Sequence, residues 1–196
     1  LTDTKGRELY SSQAGIATAA LNGNKQPHVV TQGESQVLVT PLLASPTLMM
    51  IGGAHISIAL AKLANTLGFR SVVIDPRKAF GSPERFAHAD KLVQAWPQQA
   101  FEQVPLTSNT AVASLSHDPK IDDPALIAAL NSDAFYVGAL GSTRNAEKRR
   151  VRLREAGLSE EQLARLHGPI GLEINAETPE EIALAIMAQV IEAYRH

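Results

Sequence analysis

From Thr47 onward, short runs of β-branched and aliphatic residues alternate with segments in which apolar residues recur every three or four positions. That alternation is the strongest constraint in the chain. Strands separated by helices pair in parallel, and right-handed crossovers then lay helices on both faces of the sheet. Thr47–Ile51 reads as a buried strand. Ile56, Ala59, Leu60, Leu63, Ala64 and Leu67 share one face of a helix that Gly68 closes. Ser71–Asp75, Thr110–Leu115 and Ala134–Val137 read as further strands. Asp122 or Asp123 reads as the cap of a helix with Pro124 at its first position, and Ser142 or Thr143 as the cap of an arginine-rich helix. Ser159-Glu160-Glu161-Gln162 and Thr178-Pro179-Glu180-Glu181 fit capping boxes, and the last helix is expected to bury Ile182, Ile186, Val190 and Tyr194.

Residues 47–196 therefore read as an α/β domain, a Rossmann-like three-layer sandwich with a mostly parallel sheet. Residues 1–46 differ in texture. They are polar and weakly periodic, as in Leu21-Asn22-Gly23-Asn24-Lys25-Gln26-Pro27, with room for an edge hairpin over 28–32 and 36–40. Pro41 and Pro46 bracket a linker. The 196 residues suffice for one well-buried domain with an appendage. Apolar residues make up 44%, too many for disorder, and a net charge of −2 excludes a globally basic nucleic-acid binder. With no cysteine, disulfides, thiolate metal sites and a cysteine nucleophile are excluded. No apolar run approaches the ~20 residues of a membrane span and no signal segment opens the chain, so a cytoplasmic location is the default expectation. The chain opens on Leu1 rather than Met, as a processed or excised piece would.

Ligands of such sheets bind at the carboxyl ends of the strands. Gly52, Gly53, Ala54 and His55 follow the first strand, and Asp75 and Arg77 the second. Ser116, His117 and Asp118 follow the third; Gly138, Gly141, Ser142 and Arg144 follow the fourth. These four loops are expected to converge on one crevice. Gly52-Gly53-Ala54-His55-Ile56-Ser57 occupies the place of G-x-G-x-x-G, with Asp75 placed for a ribose hydroxyl, but Ala54 and Ser57 replace the second and third glycines. The loop reads either as a phosphate site or as a plain strand-to-helix turn. Arg77 reads either as a phosphate ligand or as a solvated side chain. Gly141, Ser142 and Arg144 offer amides, hydroxyl and guanidinium to an anion, whereas Lys148, Arg149, Arg150, Arg152 and Arg154 read as a solvated basic face. His55, His117 and Asp118 leave open metal ligation, acid/base chemistry or the ordering of loops, and no ligand spacing singles out a metal.

Several stretches together resemble the XdhC/CoxI family, the xanthine dehydrogenase accessory proteins, over about residues 46–196. They are Ile51–Ile56 (IGGAHI), Val72–Arg77 (VVIDPR) with Arg85-Phe86 and Ala89-Asp90, Ser116-His117-Asp118 with Asp122-x-x-Ala-Leu, Tyr136–Arg144 (YVGALGSTR) and Gly168–Ala183 (GPIGLEINAETPEEIA). The resemblance implies a cytoplasmic, dimeric maturation factor rather than an enzyme. Such a factor binds molybdenum cofactor, as molybdopterin or its dinucleotide form, delivers it to a molybdenum hydroxylase apoenzyme, and assists its sulfuration by working with a cysteine desulfurase. This chain departs from the family pattern in lacking the amino-terminal Gly-Gly-Cys type motif and in carrying Ala54 for glycine, Gln189 for Glu and Ala185 for Ser. Two other readings stand beside it: an NAD(P)-dependent oxidoreductase using His55 or His117, and a degenerate docking or dimerisation module.

Overall fold

The computed structural model describes residues 28–32, 35–39 and 44–195. Two compact units divide at Ala44 and Ser45. In the first, β1 (His28–Gln32) and β2 (Ser35–Val39) pair antiparallel with Gln32 opposite Ser35. The polar tract 21–27 and Pro41 lie outside the described residues.

The second unit is built on a six-stranded, all-parallel sheet. Its central strands are β3 (Thr47–Ile51), β4 (Arg70–Ile74) and β6 (Thr110–Ser114), whose continuous apolar runs suit burial on both faces. Outside them lie β5 (Lys91–Val93), β7 (Tyr136–Ala139) and β8 (Leu166–His167). The spatial order is β5-β4-β3-β6-β7-β8. The chain thus starts in the middle, winds outward to β5, then returns beside β3 and winds out the other way. Right-handed crossovers in opposite directions put their helices on opposite faces. One face carries α1 (His55–Thr66) and α6 (Pro179–Arg195), which bury Leu60, Ala61, Ala64, Ile186, Val190 and Tyr194 against Met50, Val73 and Ala113. The other carries α2 (Pro97–Gln103), α3 (Pro119–Leu130), α4 (Thr143–Glu155) and α5 (Glu160–Ala164) over Met49, Val72, Val112 and Val137. This is the expected Rossmann-like sandwich, and the order reverses between β3 and β6.

Several details differ from the sequence reading. The cap of α3 lies four residues before Asp122: Asp118 is the cap, accepting from the Lys120 amide, Pro119 takes the first position, and Pro124 lies inside the helix. Asp122 is buried and bonds to the preceding loop instead. The fourth strand is displaced two residues toward Ala139. Ile182 is only half-buried; Ala183 and Met187 take more of the core face. Both capping boxes form, through Ser159 with Gln162 and Thr178 with Glu181.

The arginine-rich stretch is a solvated face only in part: Lys148 and Arg154 are exposed, whereas Arg149 is buried and Arg150 and Arg152 are half-buried. Arg152 forms a two-pronged pair with Asp123, and Arg150 donates to the carbonyls of Leu163 and Leu166 at 2.8 and 2.9 Å. Arg165 donates to the carbonyls of Leu130, Ser132 and Ala134 at 2.9, 3.1 and 2.7 Å, closing the end of α3 and the approach to β7. A planar fork can meet three carbonyls where an ammonium on a flexible stem cannot hold that geometry. Replacing Arg165 by Met is expected to cost about 2–3 kcal/mol, lowering Tm by about 4–10 °C. Arg165→Lys should restore less than half of the loss, as read by chemical denaturation and thermal melting.

Candidate functional site

The order reversal between β3 and β6 leaves their two following loops side by side. Gly52 ends β3 at φ +108°, and its amide donates to the Ile74 carbonyl at 2.8 Å. A side chain there would strain the backbone and press within 2.7 Å of the Ser116 Cα. The Ser57 hydroxyl donates back to the Gly52 carbonyl at 2.6 Å, so the serine at the motif's third glycine closes the turn. Ala54 caps α1 in extended conformation with no side-chain cap. The Ser57 amide donates to the Ala54 carbonyl at 3.1 Å, and no side chain caps the first-turn amides before it, as suits an anion.

Asp75 ties the next loop to the first. Its side chain is fully buried. Oδ2 accepts from the Gly53 amide at 2.7 Å and Arg77 Nη2 at 2.8 Å; Oδ1 accepts from the Arg77 amide and Nε, both at 2.9 Å. Four bonds fill the lone-pair sites of a carboxylate. Asp75 thus holds loops together and has no oxygen left for a ribose hydroxyl. Burial alone would raise its pKa, but the Arg77 side chain and the Gly53 and Arg77 amides together hold it below the ordinary carboxylate value. Arg77, a third exposed, lays its guanidinium 4.2 Å from the Phe80 ring centre.

In the loop after β6, the Ser116 amide and hydroxyl donate to Asp122 Oδ1 at 3.3 and 2.7 Å, and the Asp118 amide donates to the Ser116 hydroxyl at 3.1 Å. His117, held at φ +61°, is exposed at the apex. A left-handed histidine is uncommon and costs conformational energy, the kind of strain that gathers at functional positions.

These three loops enclose an open crevice of about 370 Å³, lined by Ala54, His55, Arg77, Phe80, Ser116 and His117, with Ala79, Arg85 and Leu115 completing the wall. Gly52, Gly53 and Asp75 lie directly behind it. The fourth loop does not line it. Gly138 is buried in β7, where a Cβ would strike the Tyr136 hydroxyl and Ile170. Gly141, Ser142 and Arg144 stand at the start of α4, capped by Ser142. Asp118 is half-buried and engaged as the α3 cap. Among the described residues no three His, Asp or Glu side chains gather as a metal set. Phe80 carries no sequence signal because it lies in the irregular 75–90 connection, and Arg85 is marked there only by the family resemblance of Arg85-Phe86. Arg85 donates to the Phe80 carbonyl at 2.7 Å.

Because the folded pKa of Asp75 is depressed, its stabilisation is present above the unfolded value of about 3.9 and is lost as pH falls through the lower folded value. Asp75→Asn is expected to cost about 2 kcal/mol at pH 7, discounted from a fully buried pair because Arg77 is partly exposed. Denaturant melts from pH 7 to pH 2 should show the deficit narrowing below about pH 4.

Residues 48–190 match the XdhC Rossmann domain family. The chain is 32% identical over 161 residues to YqeB of Escherichia coli (strain K12), covering 82% of this chain and 29% of that protein. It is 30% identical over 147 residues to a protein of Bacillus subtilis (strain 168) named as a probable xanthine dehydrogenase component, covering 75% and 42%. It is also 30% identical over 149 residues to the molybdenum cofactor insertion chaperone PaoD of Escherichia coli (strain K12), covering 76% and 40%. A crystal structure described as a xanthine dehydrogenase from Bacillus halodurans superposes with a TM-score of 0.68 at 28% identity, covering 82% of this chain and 45% of that one. The chain spans less than half the length of these relatives. With nearly three quarters of its residues inside the match, and the glycine loop, the Ser-His-Asp turn and the parallel sheet in place, the chain belongs to the XdhC family through its Rossmann domain.

Proposed function

We propose that this chain is a maturation factor that binds molybdenum cofactor, or a related nucleotide, in the crevice between the loops after β3, β4 and β6, and helps deliver it to a molybdenum hydroxylase apoenzyme. The observation that carries this reading is the open N-terminus of α1 facing a crevice that also presents Arg77, Arg85 and His117. Uncapped amides and partly exposed guanidinium groups suit the phosphate of a pterin cofactor. The Phe80 face and Leu115 supply apolar wall, and about 370 Å³ lies within the range of small-molecule sites. Support also comes from relatives named as a cofactor insertion chaperone and as a probable xanthine dehydrogenase component.

In this reading Ala54 and His55 present α1 amides to the anionic group, and Arg77 and Arg85 balance its charge. Asp75 orients Arg77 and fixes the Gly53 loop, while His117 overhangs the mouth. The cofactor itself supplies the redox chemistry of the recipient enzyme; this chain's residues bind and release it. The same reading gives the protein a cysteine desulfurase as second partner, a homodimeric state and a cytoplasmic location. No helix among the described residues is long and apolar enough to cross a membrane.

The test is anaerobic titration of the chain with molybdenum cofactor, with NADH as a control. Half-saturation at or below roughly tens of micromolar is expected, with weaker binding of NADH. No cofactor binding by protein of intact fold overturns the reading. His117→Gly separates site from scaffold: relief of the left-handed conformation should leave Tm unchanged or raise it by about 1–3 °C. Loss of the ring should weaken cofactor binding about 3–10-fold, as one hydrogen bond would.

A further inference from the structure

Arg149 and Ser114 form a second polar site that the crevice does not use. The Arg149 side chain is 7% exposed, and its Nε and Nη1 have no hydrogen-bond partner. Only Nη2 is engaged: it donates to the Leu140 carbonyl at 3.0 Å and forms a long ion pair with the buried Asp122 Oδ2 at 3.9 Å. Ser114 Oγ is likewise buried and without a partner.

The backbone brings the two groups to one place. Ser114 ends β6 opposite Ala139, the end of β7, and its carbonyl accepts from the Leu140 amide at 2.8 Å. Arg149 therefore bonds the residue that Ser114 itself holds. Side chains alternate along a strand, so Ser114 faces the same side of the sheet as Val112. That is the face packed by α3 and α4, on which Arg149 is carried. Gly141 lies over the guanidinium: a Cβ there would stand 3.9 Å from Nη1 and 4.0 Å from Nη2. Beyond it the exposed turn 142–145 opens α4, with Ser142 meeting the Asn145 amide.

The chemistry of this pocket is lopsided. Nε and Nη1 hold three N–H groups and Ser114 adds a hydroxyl, while the acceptors beside them, the Leu140 carbonyl and Asp122 Oδ2, both face Nη2. The Asp122 ion pair offsets part of the charge, but N–H groups of a buried cation that lack acceptors are costly. A water molecule accepts only two hydrogen bonds and must place two of its own; an anionic oxygen accepts all it is given. Burial lowers the proton affinity of Arg149, opposed by Asp122 and Asp123, yet a guanidinium stays charged.

We infer that the pocket under Gly141, formed by Arg149, Ser114 and the first turn of α4, is a buried oxyanion subsite that takes a phosphate group. It is separate from the α1 N-terminus and does not depend on molybdenum cofactor being the ligand of the crevice. The phosphate reaches Arg149 by displacement of the Gly141 turn.

The probe is inorganic phosphate, titrated into the full chain against sodium chloride at matched ionic strength. Melting temperature and the NMR signals of Arg149 Nε–H and the Gly141 amide are followed. With a Kd of about 1 mM, about 10 mM phosphate should raise Tm by about 3–6 °C. Phosphate also stabilises proteins generally by exclusion from their surfaces, so the deciding quantity is the difference between variants. The specific part should vanish in Arg149→Met, and half-saturation should weaken about 2–10-fold in Ser114→Ala, which keeps the test available if Arg149→Met does not fold. An equal phosphate response in wild type and Ser114→Ala, or an unmoved Arg149 Nε–H signal, overturns the inference and gives the pocket to water. Cofactor binding without a phosphate response refutes this subsite alone. A phosphate response that depends on Arg149, without cofactor binding, refutes the proposed function alone.

Discussion

The Asp75 carboxylate holds the working end of the sheet together. One of its four hydrogen bonds, from the Gly53 amide, joins the loop after β3 to the loop after β4, and the other three fix Arg77 within the latter. An ion buried this way is stable because every lone pair has a donor and the charge has a direct partner. The bonds also choose the orientation of Arg77, whose outer surface is left to face the crevice and stack on Phe80. The residue that a nucleotide-binding fold commonly turns toward a sugar has here become part of the frame. On the proposed reading, recognition falls to the α1 terminus, the arginines and the histidine at its rim.

Arginine does similar framing work on the opposite face. Arg150, Arg152 and Arg165 reach carbonyls or carboxylates contributed by other segments, so α3, α4, α5 and β8 are tied by polar links around a modest apolar core. Arg149 stands apart within that set. It lies one residue from Arg150, yet helical geometry turns it inward, where its charge is met only in part.

How much can be read from the sequence depends on length and on context. β3, β4 and β6 are legible because four or five consecutive buried residues leave a clear run, and α1 because Gly68 marks its end. β5 and β8, with three and two residues, are shorter than any periodicity can register, and α2 hides behind Trp96-Pro97. The start of α3 is misplaced by the sequence pattern because two Asp–Pro signals lie close together, and Asp118-Pro119 carries the helix while Asp123-Pro124 falls inside it. Of the site, the glycine loop, His55 and His117 are visible as residues that follow strands. The engagement of Asp75, the place of Phe80 and Arg85, and the inward turn of Arg149 depend on side-chain directions that a linear pattern does not encode.

The two outer strands of the sheet have a further consequence. With three residues on one margin and two on the other, the sheet tapers to almost no free ladder of amides and carbonyls. An incoming polypeptide finds no rail along which to extend it. A protein that docks on this unit must grip side chains and helix surfaces, an encounter that leaves the strands undisturbed.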